Sequence, residues 1–269
     1  MKICDEFKSS QQYMLTTEHF DLEDGKGIDL VQLTDKNVAK VEAMIRNDSS
    51  YIKSFDKNAG PTDNKNGKEV YPGSTAYWIS QLGLILNKKE CDFSYETVIQ
   101  NVVSSIDREN STHINSDGCG RNDLSKRIIE FGKDNLIVSL KNRDLELFIK
   151  IAEKTQPNDQ KHHGRQNISF ASKFCHYACF YLFENLEEQD NYSIYDKVIV
   201  SVLPYYIKKY EVECKGNLEK LKEDYIKEYY SSYCDIIDSI RKKAASTTNT
   251  TPISRNGFDH LLWYYHKGR

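Results

Sequence analysis

Asn167-Ile168-Ser169-Phe170-Ala171-Ser172-Lys173-Phe174-Cys175-His176-Tyr177-Ala178-Cys179-Phe180-Tyr181-Leu182-Phe183, a polar break at Asp190-Asn191, then Tyr195-Asp196-Lys197-Val198-Ile199-Val200: this stretch decides the fold. Phe170, Phe174, Tyr177 and Tyr181 stand at i, i+4, i+7 and i+11, the period of an α-helix. Neither glycine nor proline interrupts them, so the pattern predicts an apolar helix over Ser169–Phe183. Asp190-Asn191 ends it. Tyr195 or Asp196 opens a second helix through Lys209, since aspartate is a favoured N-cap. Two apolar helices joined by a short turn point to a helical domain.

The reading extends outward in both directions. Downstream, Leu218, Leu221, Tyr225, Tyr229, Ile236 and Ile240 mark the longest helix, from Asn217 to about Ala244. Thr247–Pro252 is a loop, and Gly257–His266 closes the chain as a short helix. Upstream, Leu145, Phe148, Ile149 and Ala152 are in helical phase within Asp144–Lys154. Shorter helices are expected at Asp123–Phe131 and Leu136–Leu140. Ile99, Val102, Val103 and Ile106 give Ser94–Ile106, and Ser74 or Thr75 caps a helix to Asn87. Another helix starts near Thr34-Asp35, with Val38, Val41 and Ile45 on one face. Polar loops are expected at Lys57–Gly73 and Asp107–Arg121, with a polar linker at Thr155–Gln166. Residues 1–33 show little periodicity, a turn at Asp24–Gly27 and at most a little strand. The fold class is mainly α.

Composition limits what the chain can be. Its 269 residues suffice for one large domain or two smaller lobes. Charged residues at 29% and hydrophobic ones at 39% are ordinary for a soluble protein. There is no apolar run of about 18 residues, hence no expected membrane span. The acidic start, Met1-Lys2-Ile3-Cys4-Asp5-Glu6, has no apolar signal core, so a cytoplasmic location is expected. Seven scattered cysteines read there as free thiols. A net charge of −3 makes no overall case for nucleic acid. Its distribution is uneven: residues 197–269 carry 13 Lys+Arg against 9 Asp+Glu, a balance of +4, and the rest a balance of −7. On charge alone this is a solvated surface.

Lys173 and Asp196 are the first candidate site. A lysine beside Phe170, Phe174, Tyr177 and Tyr181 loses hydration, which favours its neutral, nucleophilic form. Asp196 follows 23 residues later, at a helix start. The bland alternative is a lysine that snorkels to water and an aspartate that only caps.

The same residues carry a resemblance. Asn167 to Cys175, followed by Tyr192-Ser193-Ile194-Tyr195-Asp196 and by Asp259-His260-Leu261-Leu262-Trp263, resembles a bacterial family described as 8-oxoguanine DNA glycosylase-like. That family is similar to helix-hairpin-helix DNA glycosylases. The resemblance implies a helix-hairpin-helix glycosylase-like helical domain over 123–269, with a divergent region over 1–122. It implies DNA as partner, no cofactor, Lys173 as nucleophile on the sugar C1′ and Asp196 as support for the developing oxocarbenium charge. Lys161, His163, Arg165, Asn167 and Ser169 then lie where DNA backbone would pass. The family's hairpin glycines have no counterpart in Arg165-Gln166-Asn167-Ile168-Ser169-Phe170. Glycosylase and possible β-lyase activity is therefore one expectation, and a catalytically inactive nucleic-acid-binding or defence-associated protein of the same fold is the other. A purely protein-interacting helical module is the third.

Other constellations are weaker. Cys175 and Cys179, at i and i+4 around His176, have the spacing of a zinc pair, but small apolar core cysteines explain them better. Only Cys214 and Cys234 lie near the C-terminus, too few for an iron–sulfur cluster. Asp117-Gly118-Cys119-Gly120-Arg121-Asn122 precedes a helix, and its N–H groups with Arg121 suit a phosphate. It lacks a P-loop Lys-Ser/Thr, and an ordinary helix cap is the better account. Tyr205-Tyr206, Tyr210, Tyr225, Tyr229-Tyr230 and Trp263-Tyr264-Tyr265 offer stacking surfaces for a base, but at helical spacing such rings are more often core.

Overall fold

A computed structural model describes residues 14–22, 25, 27–47, 62–63, 69–110, 112–114, 120–154, 166–213 and 226–267. Among these the chain is mainly helical, with eleven helices and two small two-stranded antiparallel pairs. It divides into two units: residues 1–51 with 195–269, and residues 52–194. Residue 122 lies inside the second.

In the first unit, β1 (Thr17–Asp21) pairs antiparallel with β2 (Gly27–Val31). Gly25, at φ 78°, donates its N–H to Leu22 O between them. Sequence periodicity left this hairpin open because each strand has only five residues and β1 is mostly exposed. Helix α1 (Asp35–Asn47) follows Thr34, whose hydroxyl accepts the Asn37 N–H. Asn37 is fully buried. Its amide donates to Thr16 O (2.9 Å) and Gln32 O (2.8 Å) and accepts from Thr16 N (3.0 Å). One side chain thus ties both ends of the hairpin to α1. Asn37→Ala leaves three backbone groups in part-buried hydrogen bonds without this partner, and should cost about 2 kcal/mol in thermal or urea unfolding.

The same unit holds α9 (Lys197–Lys209), α10 (Ile226–Thr248) and α11 (Arg255–His266). Helix α11 packs on α1, α9, α10 and β2. Gly257 lets α11 approach closely, since a Cβ there would lie 3.0 Å from Val38 Cγ2. Tyr206 is fully buried, as core rather than stacking surface. Its hydroxyl accepts from Val31 N (3.0 Å), lies 3.3 Å from Val31 O and is 3.0 Å from His266 Nε2. A phenol donates one hydrogen bond and accepts two, so a proton on His266 Nε2 satisfies all three contacts. Asp238 joins α10 to α11 by binding Arg255, while Arg241 donates to Asp238 (2.8 Å) and to Ile253 O. The expected start of α10 at Asn217 lies outside the described residues.

In the second unit, β3 (Thr62–Asp63) pairs with β4 (Glu69–Val70) inside the expected 57–73 loop. Helices α2 (Thr75–Leu86), α3 (Tyr95–Asn110), α4 (Gly120–Phe131), α5 (Lys133–Lys141), α6 (Leu145–Ala152), α7 (Ile168–Leu182) and the single turn α8 (Leu186–Gln189) complete it. Ser74 caps α2 and Asp144 caps α6, each accepting a backbone N–H. Helix α7 packs against α2, α3, α5, α6 and α8 and forms the centre of this unit. Phe170, Phe174, Cys175 and Cys179 are buried along it.

One expected boundary is corrected. Asp107–Asn110 is the last turn of α3, not the start of a loop. Its polar residues are held by partners: Asp107 accepts from Thr112 Oγ1 (2.6 Å), Ile114 N (3.2 Å) and Arg121 Nε (2.8 Å). Arg121 is thereby committed to an ion pair with Asp107. These hydrogen bonds hold the Asp107 carboxyl below its ordinary range despite the opposing effect of burial. Residues 117–119 of the glycine-bearing loop lie outside the described residues.

Candidate functional site

The first turns of α7 place Lys173. Asn167 O accepts the Ala171 N–H (2.8 Å) and opens the helix. Phe170 and Phe174 stack with ring centroids 6.5 Å apart. Lys173, next to Phe174 in the chain, is only 6% exposed. Most of its side chain is therefore enclosed by the protein.

His176 stands one turn further along and is fully buried. Its Nδ1 is 2.7 Å from Tyr192 O. A carbonyl only accepts, so the proton is on Nδ1. Ring contacts with Tyr177 and Phe180 fix the imidazole. Cys175 and Cys179 are buried free thiols, and Cys179 Sγ lies 3.6 Å from Leu140 O. Burial pushes both thiols up. A thiolate suited to metal or nucleophilic chemistry is disfavoured there. Among the described residues no group of three or more His, Cys, Asp or Glu is arranged to hold a metal ion.

Further along α7, Tyr177 donates its hydroxyl to Asn110 Oδ1 (2.8 Å). Burial, reinforced by Glu109, pushes the Tyr181 phenol up. Glu109 lies in the last turn of α3, and its Oε1 accepts the Thr75 N–H (2.9 Å) at the start of α2. Arg108 Nη2 is 3.5 Å from the same oxygen. Burial pushes the Glu109 carboxyl up to about 7, against the opposing pull of Thr75 and Arg108. A polar, titratable row thus runs along α7, from Lys173 through Tyr177 to Tyr181, and meets Asn110 and Glu109 from α3.

Asp196 belongs to the first unit, where it is the N-cap of α9 and accepts the Val198 N–H (2.9 Å). Tyr195 packs edge-on against Tyr229 (6.2 Å) and Tyr233 (5.3 Å). Tyr233 is fully buried, and burial, with smaller contributions from Asp259, Cys234, Asp196 and Tyr195, pushes its phenol up. Asp259, the first residue of the C-terminal segment of interest, is itself buried. Trp263 carries Lys267 Nζ over its ring at 3.5 Å.

Of the expected DNA-contacting residues, Lys161, His163 and Arg165 lie outside the described residues. Asn167 is 2% exposed; its N–H bonds Ala152 O (3.0 Å) and its Nδ2 is 3.4 Å from Glu153 O. Ser169 is half-buried, and its carbonyl accepts from Ser172 Oγ (2.9 Å). Arg127 also meets the end of α6, donating to Glu153 O (2.6 Å) and Lys154 O (2.8 Å). Sequence reasoning missed Glu109 and Asn110, because only packing against α2 and α7 gives them their surroundings. Comparison with family models, curated proteins and solved structures finds no match to this chain.

Proposed function

We propose that this chain is a DNA glycosylase that uses Lys173 as its nucleophile. The supporting observation is the burial of Lys173 at 6% exposure in the apolar first half of α7. Burying an ammonium costs several kcal/mol. Lysine is rarely so enclosed. The resemblance of the 167–196 stretch to a lysine-dependent glycosylase family supports the same reading.

In this mechanism the Lys173 amine attacks C1′ of a nucleotide extruded from the duplex. The bond from C1′ to nitrogen forms as the glycosidic bond breaks. The amine loses a proton, and the departing base gains one. Opening of the sugar ring gives a Schiff base that water hydrolyses or β-elimination resolves.

Borohydride reduction of the Schiff base tests the mechanism. The wild-type chain should form a covalent adduct with at least one duplex from a lesion panel. Lys173→Gln should reduce trapping at least about 100-fold, roughly 3 kcal/mol of transition-state stabilisation. Equal trapping by Lys173→Gln, or none by the wild type with any lesion, overturns the covalent mechanism.

A second reading is a nucleic-acid-binding protein without this chemistry. The internal contacts of Asn167, where related hairpins use glycine N–H groups, favour it. Salt-dependent DNA binding that persists when Lys173 and Asp196 are both replaced, with no trapping, is its signature.

A further inference from the structure

We propose that Glu109 binds the polar edge of a nucleobase, using its Oε2 atom. The inference rests on the glycosylase reading and assigns base recognition to a region outside the resemblance. The hydrogen bonds of Glu109 fall on Oε1, from the Thr75 N–H and, at 3.5 Å, Arg108 Nη2. No hydrogen bond among the described residues reaches Oε2. The side chain is 10% exposed, so it is enclosed but reachable.

The neighbours suit a flat heterocycle. Tyr177 and Tyr181 are half-buried on α7, one turn apart, and bring aromatic ring surface. Asn110, already anchored by the Tyr177 hydroxyl, adds an amide beside Glu109. From Lys173 to Tyr181 is two helical turns, about 12 Å along the axis. A base whose sugar lies at Lys173 would therefore extend along α7 toward Asn110 and Glu109.

The protonation chemistry follows from these surroundings. The Thr75 N–H marks Oε1 as an acceptor, so in the acid form the proton sits on Oε2. That form donates to a ring nitrogen or carbonyl, and the ionised form accepts from a ring N–H or amino group. Arg108 from α3, Tyr181 from α7 and the hydroxyl and N–H of Thr75 at the start of α2 are the groups that act on it. With the carboxyl raised to about 7, both forms are populated near neutrality. A base bound through an acceptor such as a lactam carbonyl should lose affinity as pH rises through 7.

Equilibrium dialysis of the full chain with guanosine, 8-oxoguanosine, inosine, adenosine and uridine tests this. At least one nucleoside should bind the wild type, and Glu109→Leu should weaken that binding at least about tenfold. Glu109→Gln keeps the oxygen that meets Thr75; it should melt like a folded protein and show binding that no longer varies between pH 6 and 8. Equal affinity in Glu109→Leu, or no binding of any of the five by folded wild type, overturns the inference. Trapping on lesion DNA separates the two proposals. If Glu109→Leu traps with wild-type rate and lesion preference, the lysine mechanism stands and base reading by Glu109 fails. Glu109-dependent nucleoside binding without any trapping leaves the binding site and removes the lysine chemistry.

Discussion

Gly120→Ala is expected to be the most destabilising of the small substitutions in this chain, by about 3 kcal/mol or more. A Cβ at position 120 would stand 1.7 Å from Ile114 O and 2.6 Å from Ile114 C, both backbone atoms. Neither side can withdraw cheaply. Ile114 is buried and its N–H is bound by Asp107. Arg121, adjacent to Gly120, is bound to the same carboxylate at 2.8 Å. Relief of the clash must therefore break part of the Asp107 network or displace the start of α4. For a protein of this size the expected fall in melting temperature is about 10 °C. Gly83→Ala is the control. It lies within α2, and its nearest obstacle is the flexible end of Leu182, Cδ2 at 3.1 Å. Alanine's helix propensity offsets that contact, so melting should change little or rise. Equal losses in the two variants would show that the Ile114 approach does not control the stability of this corner.

The contrast between these glycines shows what the sequence could and could not reveal. Helices α2, α6, α7 and α9 were legible because their apolar residues repeat at helical spacing and Ser74, Asp144 and Asp196 mark their starts. Those signals are local, carried within a few residues. The last turn of α3 was read as loop because Asp107-Arg108-Glu109-Asn110 is polar and breaks the apolar stripe. Its helical state depends on Thr112, Ile114, Arg121, Thr75 and Tyr177, which approach only in the folded chain. Gly120 fits both a phosphate loop and the favoured ordinary helix cap for the same reason: a glycine needed for close backbone approach looks identical in sequence whether the partner is a ligand or Ile114. The hairpin of β1 and β2 was hard to see because what secures it, Asn37, lies in the following helix. Lys173 stands out in the sequence as a candidate because of its apolar neighbours. Glu109 had no local signature, since its burial comes from two helices remote in sequence.

Glu109 also makes the stability of the protein depend on pH in a direction opposite to most carboxylates. Its carboxyl rises from 4.5 to about 7 on folding, chiefly through burial. Below 4.5 it is protonated in both states and imposes no penalty. Between 4.5 and about 7 the unfolded chain ionises first, so stability falls as pH rises. Above about 7 the folded state ionises too and the loss levels off. A displacement of this size corresponds to up to about 3 kcal/mol. Asp107 acts in the other direction. Its lowered carboxyl contributes stability above its unfolded value and loses it as pH falls. A single melting curve would blend the two, whereas comparison with Glu109→Gln isolates the first. The glutamine carbonyl can still accept the Thr75 N–H and carries no charge to bury. Wild type and Glu109→Gln should therefore differ least near pH 4.5, and the variant should gain steadily up to about pH 7 and then hold its advantage. Urea unfolding at several pH values measures that difference directly. A constant offset across the range would mean that Glu109 ionises in the folded protein as it does in the unfolded chain. The pH dependence expected for nucleoside binding would then lose its basis as well. A difference that grows over this interval would show the same carboxyl retaining its proton up to neutrality, as donation to a base acceptor requires.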